Sequence, residues 1–137
     1  MKTFTKFIES VTVINGFCVL KPEFLNYEDD WINMLKNNGW TIVQKVKKKL
    51  THKQAEELYK PHENESFYKD LCNYMCSSDC ICCSCYKECD NPIKDMDKLK
   101  ERIRKSWGKD EMKNAMHSSD SQENVERESN ICFNNII

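Results

Sequence analysis

The run Asn114-Ala115-Met116-His117-Ser118-Ser119-Asp120-Ser121 carries a histidine, and Glu128 follows that histidine by eleven residues. An imidazole is a base or a nucleophile near neutral pH, and a carboxylate beside it fixes which nitrogen keeps the proton. Asp120 with Glu123, or Ser119 with Gln122, has the capping-box spacing, which predicts a helix starting within two residues of His117. Free backbone N–H groups at such a start favour an anion, a phosphate above all, next to the ring. Glu128 lies about two turns along that helix, so contact with His117 requires the chain to fold back. A lone histidine at a polar helix entry is more often simply solvated, so the pair does not decide the matter by itself.

Sulfur is the second candidate chemistry. Of nine cysteines, seven fall between Cys72 and Cys89. Cys80/Cys83 and Cys82/Cys85 each have the gap of a zinc half-site, but no second pair with a histidine stands at the required distance. Cys80-Ile81-Cys82-Cys83-Ser84-Cys85-Tyr86 also reads as a short buried strand with cysteine as a small hydrophobe. On a strand, Cys82 and Cys83 point to opposite faces and do not share a metal. An odd count with no secretion signal argues against a disulfide framework. Core packing is the favoured reading, with metal binding and redox chemistry as alternatives.

The chain as a whole narrows the classes. Its 137 residues make one domain, and 39% hydrophobic with 31% charged residues is ordinary for a globular protein. A net charge of −1 gives no general affinity for nucleic acid or anionic membrane. The basic run Lys45-Val46-Lys47-Lys48-Lys49 reads as the exposed part of a strand. No stretch is long and apolar enough to span a bilayer, and Glu9, Thr12 and Asn15 interrupt any signal-like segment, so a cytoplasmic protein is expected. With only Gly16, Gly39 and Gly108, a glycine-rich phosphate loop is excluded, and side chains and helix ends must bind any phosphate.

The elements that position these groups follow in order. Residues 1–10 read as an accessory arm, followed by a first strand within Val11 to Leu20, centred on Phe17 to Leu20 and ended by Lys21-Pro22. Tyr27 to Asn38 has helical apolar spacing with Asp29 and Asp30 in its first turn, and Asn38-Gly39 stops it. Trp40 to Leu50 is rich in Val, Ile and Thr and reads as a strand. Thr51 with Gln54 is a capping box for a helix to about Lys60, and Ser66 to Met75 is another helix. The cysteine strand is third, and Asn91-Pro92 opens a helix through about Arg104. A short strand over Asn114 to Met116 leads into His117 and a last helix to about Ile131. Without the small helices the order is β-α-β-β-α-β, an α+β ferredoxin-like fold with a four-stranded antiparallel sheet.

With that order in place, the chain resembles the nucleoside diphosphate kinase family over roughly residues 16–133. Val19-Leu20-Lys21-Pro22-Glu23 is similar to the family's first-strand Lys-Pro-Asp signature. Ala55-Glu56-Glu57-Leu58-Tyr59, then Phe67, Leu71 and Tyr74-Met75, resembles its nucleotide-clamping helical hairpin. Ile103-Arg104 and Asn114 stand at the family's distances before His117. His117-Ser118-Ser119-Asp120-Ser121 is similar to His-Gly-Ser-Asp-Ser, with Glu126-Arg127-Glu128 in the expected place.

The resemblance implies a kinase moving the terminal phosphate from a nucleoside triphosphate to a diphosphate through a phosphohistidine, in a ping-pong cycle. It implies His117 as nucleophile and Glu128 as the group that fixes its ring, with Ser119 orienting Glu128. Lys21, Tyr59 and Arg104 are the implied donors to the phosphates. Asn114 is implied at the sugar, and Phe67 and Leu71 at the base. Mg²⁺ is expected to arrive with the nucleotide rather than in a protein metal cage. Nucleoside di- and triphosphates are the expected partners, and the chain is expected to be a homo-oligomer, a dimer or higher, with no membrane and no specific nucleic acid bound. Residues 11–137 are the expected kinase-like domain.

Departures from the family pattern support a second reading. The segment between the cysteine strand and His117 is short and lacks an Asn-Pro-Ala loop, as in divergent flagellar and ciliary members. The arginine of the helix after the third strand has no clear equivalent, although Lys94 and Lys98 lie near. Ser118 replaces a glycine, which predicts backbone strain beside the histidine if that position needs a glycine conformation. A catalytically weak or inactive nucleotide-binding scaffold of the same fold is therefore the alternative.

Overall fold

Strand β1 (Gly16–Leu20) runs through the middle of the molecule, and every residue of it is buried. In the computed structural model, which describes residues 13–133, β1 belongs to one antiparallel sheet with β2 (Thr41–Lys48), β3 (Cys80–Tyr86) and β4 (Met116–Ser118). The sheet order is β2-β3-β1-β4, so β1 and β3 are central and β2 and β4 are edges. Five α-helices accompany it: α1 (Glu28–Asn37), α2 (His52–Leu58), α3 (Tyr68–Met75), α4 (Pro92–Trp107) and α5 (Gln122–Phe133). This is the ferredoxin-like order, with β2, α2, α3 and β3 forming a hairpin whose connection carries two extra helices. The proposed arm over 1–10 lies outside the described residues.

Strand alternation divides the core in two. Cys18 and Leu20 of β1 and Ile81, Cys83 and Cys85 of β3 pack with Trp31 and Leu35 of α1 and Met96, Leu99 and Ile103 of α4. Phe17, Val19, Cys80 and Cys82 point the other way, against Ala55 and Leu58 of α2, Leu71 and Met75 of α3 and Val125 and Cys132 of α5. Both faces are covered, which is why β3 reads as a continuous apolar run rather than an alternating one. Each Leu, Ile, Val, Phe or Met side chain so buried contributes about 1.5–3 kcal/mol of transfer free energy.

The same alternation settles the zinc half-sites. Residues three apart on a strand face opposite ways, so Cys80/Cys83 and Cys82/Cys85 are split across the sheet. Cys83 and Cys85 instead meet Cys18, with the three sulfurs within 4.8 Å of one another and all buried. All nine cysteines are free thiols.

Local signals explain most boundaries. The Thr51 capping box forms in both directions, with Gln54 N donating to Thr51 Oγ1 and Thr51 N donating to Gln54 Oε1, each at 3.0 Å. Asn91 Oδ1 accepts from Lys94 N at 3.1 Å, with Pro92 at the first helical position. Gly39 takes φ +92 after α1, a left-handed conformation that glycine adopts without a side-chain penalty. The fourth strand departs from its expected place: it spans Met116–Ser118, not Asn114 to Met116. Ala115 sits at φ +83, turning the chain so that regular pairing begins only at Met116, opposite Leu20. His117 is therefore on the strand itself. The last helix begins at Gln122, later than the capping-box spacings indicate, because Ser121 Oγ accepts from Asn124 N at 3.1 Å.

Candidate functional site

The site is built on the end of β1 and the middle of β4. His117 pairs with Val19, and its neighbour Met116 packs into the α1/α4 face. Alternation then sends the imidazole to the opposite face, beneath α5. There His117 Nε2 lies 2.7 Å from Glu128 Oε1. The chain does fold back, and the sheet and α5 supply the fold.

Glu128 is 3% exposed and saturated with donors. Ser119 Oγ donates to Oε1 at 2.6 Å, and Arg127 Nη2 donates to Oε2 at 3.3 Å. Ser119 is thus spent on the carboxylate rather than on capping, and Asp120 Oδ1 takes the Asn124 side-chain amide at 2.8 Å. That is why neither predicted capping box forms. Because an ionised carboxylate only accepts, the shared proton sits on Nε2. Nδ1 makes no hydrogen bond among the described residues.

Burial lowers the His117 pKa, and the hydrogen bond and charge of Glu128 oppose that shift. The Lys21 and Lys100 charges push it down further. A neutral ring with an unprotonated Nδ1 follows at neutral pH.

A cavity of about 770 Å³ opens in front of the ring. Lys21, Tyr59, Phe67, Leu71, Arg104, Asn114, His117 and Glu128 all line it, and Ser119 stands behind Glu128. Lys21 is 3% exposed, and its ammonium donates to Met112 O at 3.1 Å. Burial first, then the charges of Arg104 and Lys100, lower its pKa to about 7. Arg104 Nε donates to Met116 O at 3.0 Å, which anchors the guanidinium at the rim of β4. Tyr59 meets the His117 ring edge-on at 5.2 Å between centroids, and its buried hydroxyl has no partner among the described residues. Asn114 Nδ2 donates to Glu111 O at 2.8 Å, leaving Oδ1 buried and unpaired. Buried groups of this kind are expensive unless something completes them.

The walls differ in make-up. Phe67 stands at the mouth, 42% exposed, with its ring tilted against His62 at 5.7 Å. Opposite lies the 108–115 loop, where Asp110 Oδ1 accepts from Met112 N and Lys113 N at 2.9 and 2.6 Å. Glu23, at φ +80, holds Lys109 and Lys113 at 3.4 and 3.5 Å.

One expectation is corrected here. Ser118 carries no left-handed backbone: it pairs with Cys18 in β4, and the strained φ values fall on Ala115 and Glu23. Lys94 and Lys98 face solvent. The cation that α4 turns into the cavity is Lys100, whose side chain is 13% exposed and 3.2 Å from Asp97. Lys100 precedes Arg104 by four residues, one helical turn, and that spacing was the available signal. Arg127, whose Nη2 lies 3.3 Å from Glu128 Oε2, is a further charged group at the site to which the sequence alone gives no role.

An α+β domain whose sheet presents an imidazole–carboxylate pair to a cation-lined cavity is the class that fold and site define. The sequence profile described as Nucleoside diphosphate kinase matches residues 15–136. A nucleoside diphosphate kinase from Lawsonia intracellularis is 30% identical over 128 residues, covering 86% of this chain and 93% of that protein. The Aquifex aeolicus nucleoside diphosphate kinase structure superposes with a TM-score of 0.78 at 23% identity, over 86% of this chain and 93% of the other. Thioredoxin domain-containing protein 6 of Xenopus laevis is 26% identical over 136 residues; the match covers 90% of this chain but spans only 22% of that longer protein. The chain belongs to the nucleoside diphosphate kinase family. Among the described residues no helix is long and apolar enough to cross a membrane.

Proposed function

We propose that this protein is a working nucleoside diphosphate kinase and that His117 carries the phosphoryl group between nucleotides. The observation that carries this is the pairing of Nε2 with Glu128, which leaves Nδ1 unprotonated before the cavity. Nδ1 attacks the γ-phosphorus of a nucleoside triphosphate, the bond to the β–γ bridging oxygen breaks, and the diphosphate leaves with that electron pair. A β-phosphate oxygen of a second diphosphate then attacks the phosphohistidine, and Nδ1 recovers its lone pair. Glu128 stabilises the positive charge that develops on the ring, while Ser119 holds the carboxylate in place.

Lys21, Arg104 and the Tyr59 hydroxyl are the proposed donors to the phosphoryl oxygens. The unpaired Asn114 Oδ1 accepts from a sugar hydroxyl, and Phe67 and Leu71 cover a face of the base without reading its edge. Asp110, Glu111 and Asp120 lie on the cavity wall, and one or two carboxylates beside phosphates suit hydrated Mg²⁺. When bound, the ion neutralises phosphate charge. We further propose that residues 11–137 form the catalytic domain, preceded by an arm over 1–10. The chain works as a cytoplasmic homo-oligomer, with edge strand β2 available for subunit contact.

Incubation with radiolabelled ATP tests the reading. Acid-labile, base-stable label is expected on the protein, chased off by any nucleoside diphosphate and absent from His117→Ala. Well-folded protein that takes no label would overturn it in favour of the nucleotide-binding scaffold.

A further inference from the structure

We propose that Arg127 is a positioning residue that ties the α2–α3 hairpin to the Glu128 carboxylate and so sets how strongly that carboxylate holds the His117 ring. The inference rests on the functional reading above and extends it to a side chain outside the cavity lining.

All three arms of the guanidinium are engaged. Nε donates to Asn124 Oδ1 at 3.1 Å, Nη1 donates to Glu57 O at 2.8 Å, and Nη2 donates to Glu128 Oε2 at 3.3 Å. Asn124 is itself fixed, donating from its side chain to Asp120 and from its backbone to Ser121 Oγ. The plane of the fork is therefore set from within α5. Glu57 lies in the last turn of α2, where its carbonyl has no i+4 helical donor and, besides Arg127, meets only the N–H of Tyr59 at the cap. Two residues later, Tyr59 puts its ring against His117. One planar cation thus joins the segment carrying Tyr59 to the carboxylate on the other side of the imidazole. A lysine makes no such three-way fork.

Capping α2 alone requires one N–H on Glu57 O. The second N–H reaches the oxygen of Glu128 that neither His117 nor Ser119 uses. With Oε1 holding the ring and Oε2 holding Arg127, the carboxylate cannot rotate without breaking one of them. The guanidinium also draws charge from the carboxylate and weakens its claim on the imidazole proton. The charged and titratable groups around the ring are Glu128 from α5, Lys21 after β1, Lys100 and Arg104 from α4, Tyr59 after α2 and Asp120 before α5. Among them Glu128 is the group that raises ring basicity most directly, through its hydrogen bond, and Arg127 acts on it.

The test is an NMR titration of His117 in the full chain, with His117→Asn for assignment, alongside the rate of labelling from ATP. Arg127→Met is expected to move the His117 titration upward by about half a pH unit. The acid limb of the labelling rate should follow it, and kcat should fall about tenfold with less than about threefold change in KM. Arg127→Lys should return the titration point toward that of the wild type. Arg127→Gln, neutral but still able to donate to Glu57 O, serves if the methionine variant does not fold, and the same upward shift is expected. An unchanged titration in a neutral variant, or a change confined to KM or melting temperature, reduces Arg127 to a helix cap and overturns the proposal. Wild-type protein that takes no label overturns the functional reading instead, and the titration still reads the tether.

Discussion

The floor of the cavity and its walls are built by different means. The floor is β1, β4 and α5, where His117, Ser119 and Glu128 are joined by bonds of 2.6 and 2.7 Å and Glu128 is almost wholly buried. The walls are the α2–α3 hairpin and the 108–115 loop, with a half-exposed Phe67 and exposed ion pairs from Glu23. Buried charge-assisted bonds fix geometry strongly, whereas exposed pairs contribute little and tolerate rearrangement. Under the proposed function this difference divides the labour: the floor would govern the chemical step, and the walls how nucleotides are held.

Glu128→Ala strikes the floor and has the largest expected effect. Losing the ring's orienting group should lower kcat by about 10²–10³-fold with little change in nucleotide affinity, as read by steady-state kinetics and ADP calorimetry. Equal losses in affinity and kcat would erase the proposed division. Lys100, which α4 adds to the cavity lining, is expected to act with the walls: Lys100→Ala should weaken ADP binding about tenfold while the saturated rate changes less, with Lys100→Arg restoring affinity. If kcat falls and affinity holds, Lys100 belongs with the floor.

The smallest effect is the most diagnostic of electrostatics. Lys21 titrates near 7 in the folded protein against an ordinary 10.5, so between those values the unfolded chain holds more protons. This group therefore makes folding more favourable as pH rises through that window. A phosphate beside it reverses the preference, so ADP binding at about pH 8 should take up a fraction of a proton. Calorimetry in buffers of differing ionisation heat measures the uptake, and Lys21→Met should abolish it.

Local signals carried the fold far. Thr51-His52-Lys53-Gln54 names its own cap, and the alternation of cysteines along β3 separates Cys82 from Cys83 without any tertiary information. The meeting of His117 with Glu128 is different, because it depends on β4 pairing with β1 and on α5 crossing back over the sheet. The start of β4 is not legible for a local reason: Ala115 adopts a left-handed φ that alanine does not advertise. The α5 cap moved to Ser121 because Ser119 had a better partner in Glu128. Arg127 is not legible in the sequence because the acceptor that gives its fork a tertiary role, Glu57 O, is a backbone atom of α2 that only the fold brings to α5.

The split sheet has one more effect, on what an oxidant meets. Seven of the nine thiols lie buried on one face or the other, and only Cys76 and Cys89 are partly open. Neither sits on a strand or lines the cavity. Peroxide or a disulfide reagent therefore encounters two sulfurs outside the His117 cavity, and reaches the rest only when the layers separate. The cysteine-rich sequence gives a protein whose redox exposure is gated largely by unfolding, so each newly modified buried thiol records an opening of the core.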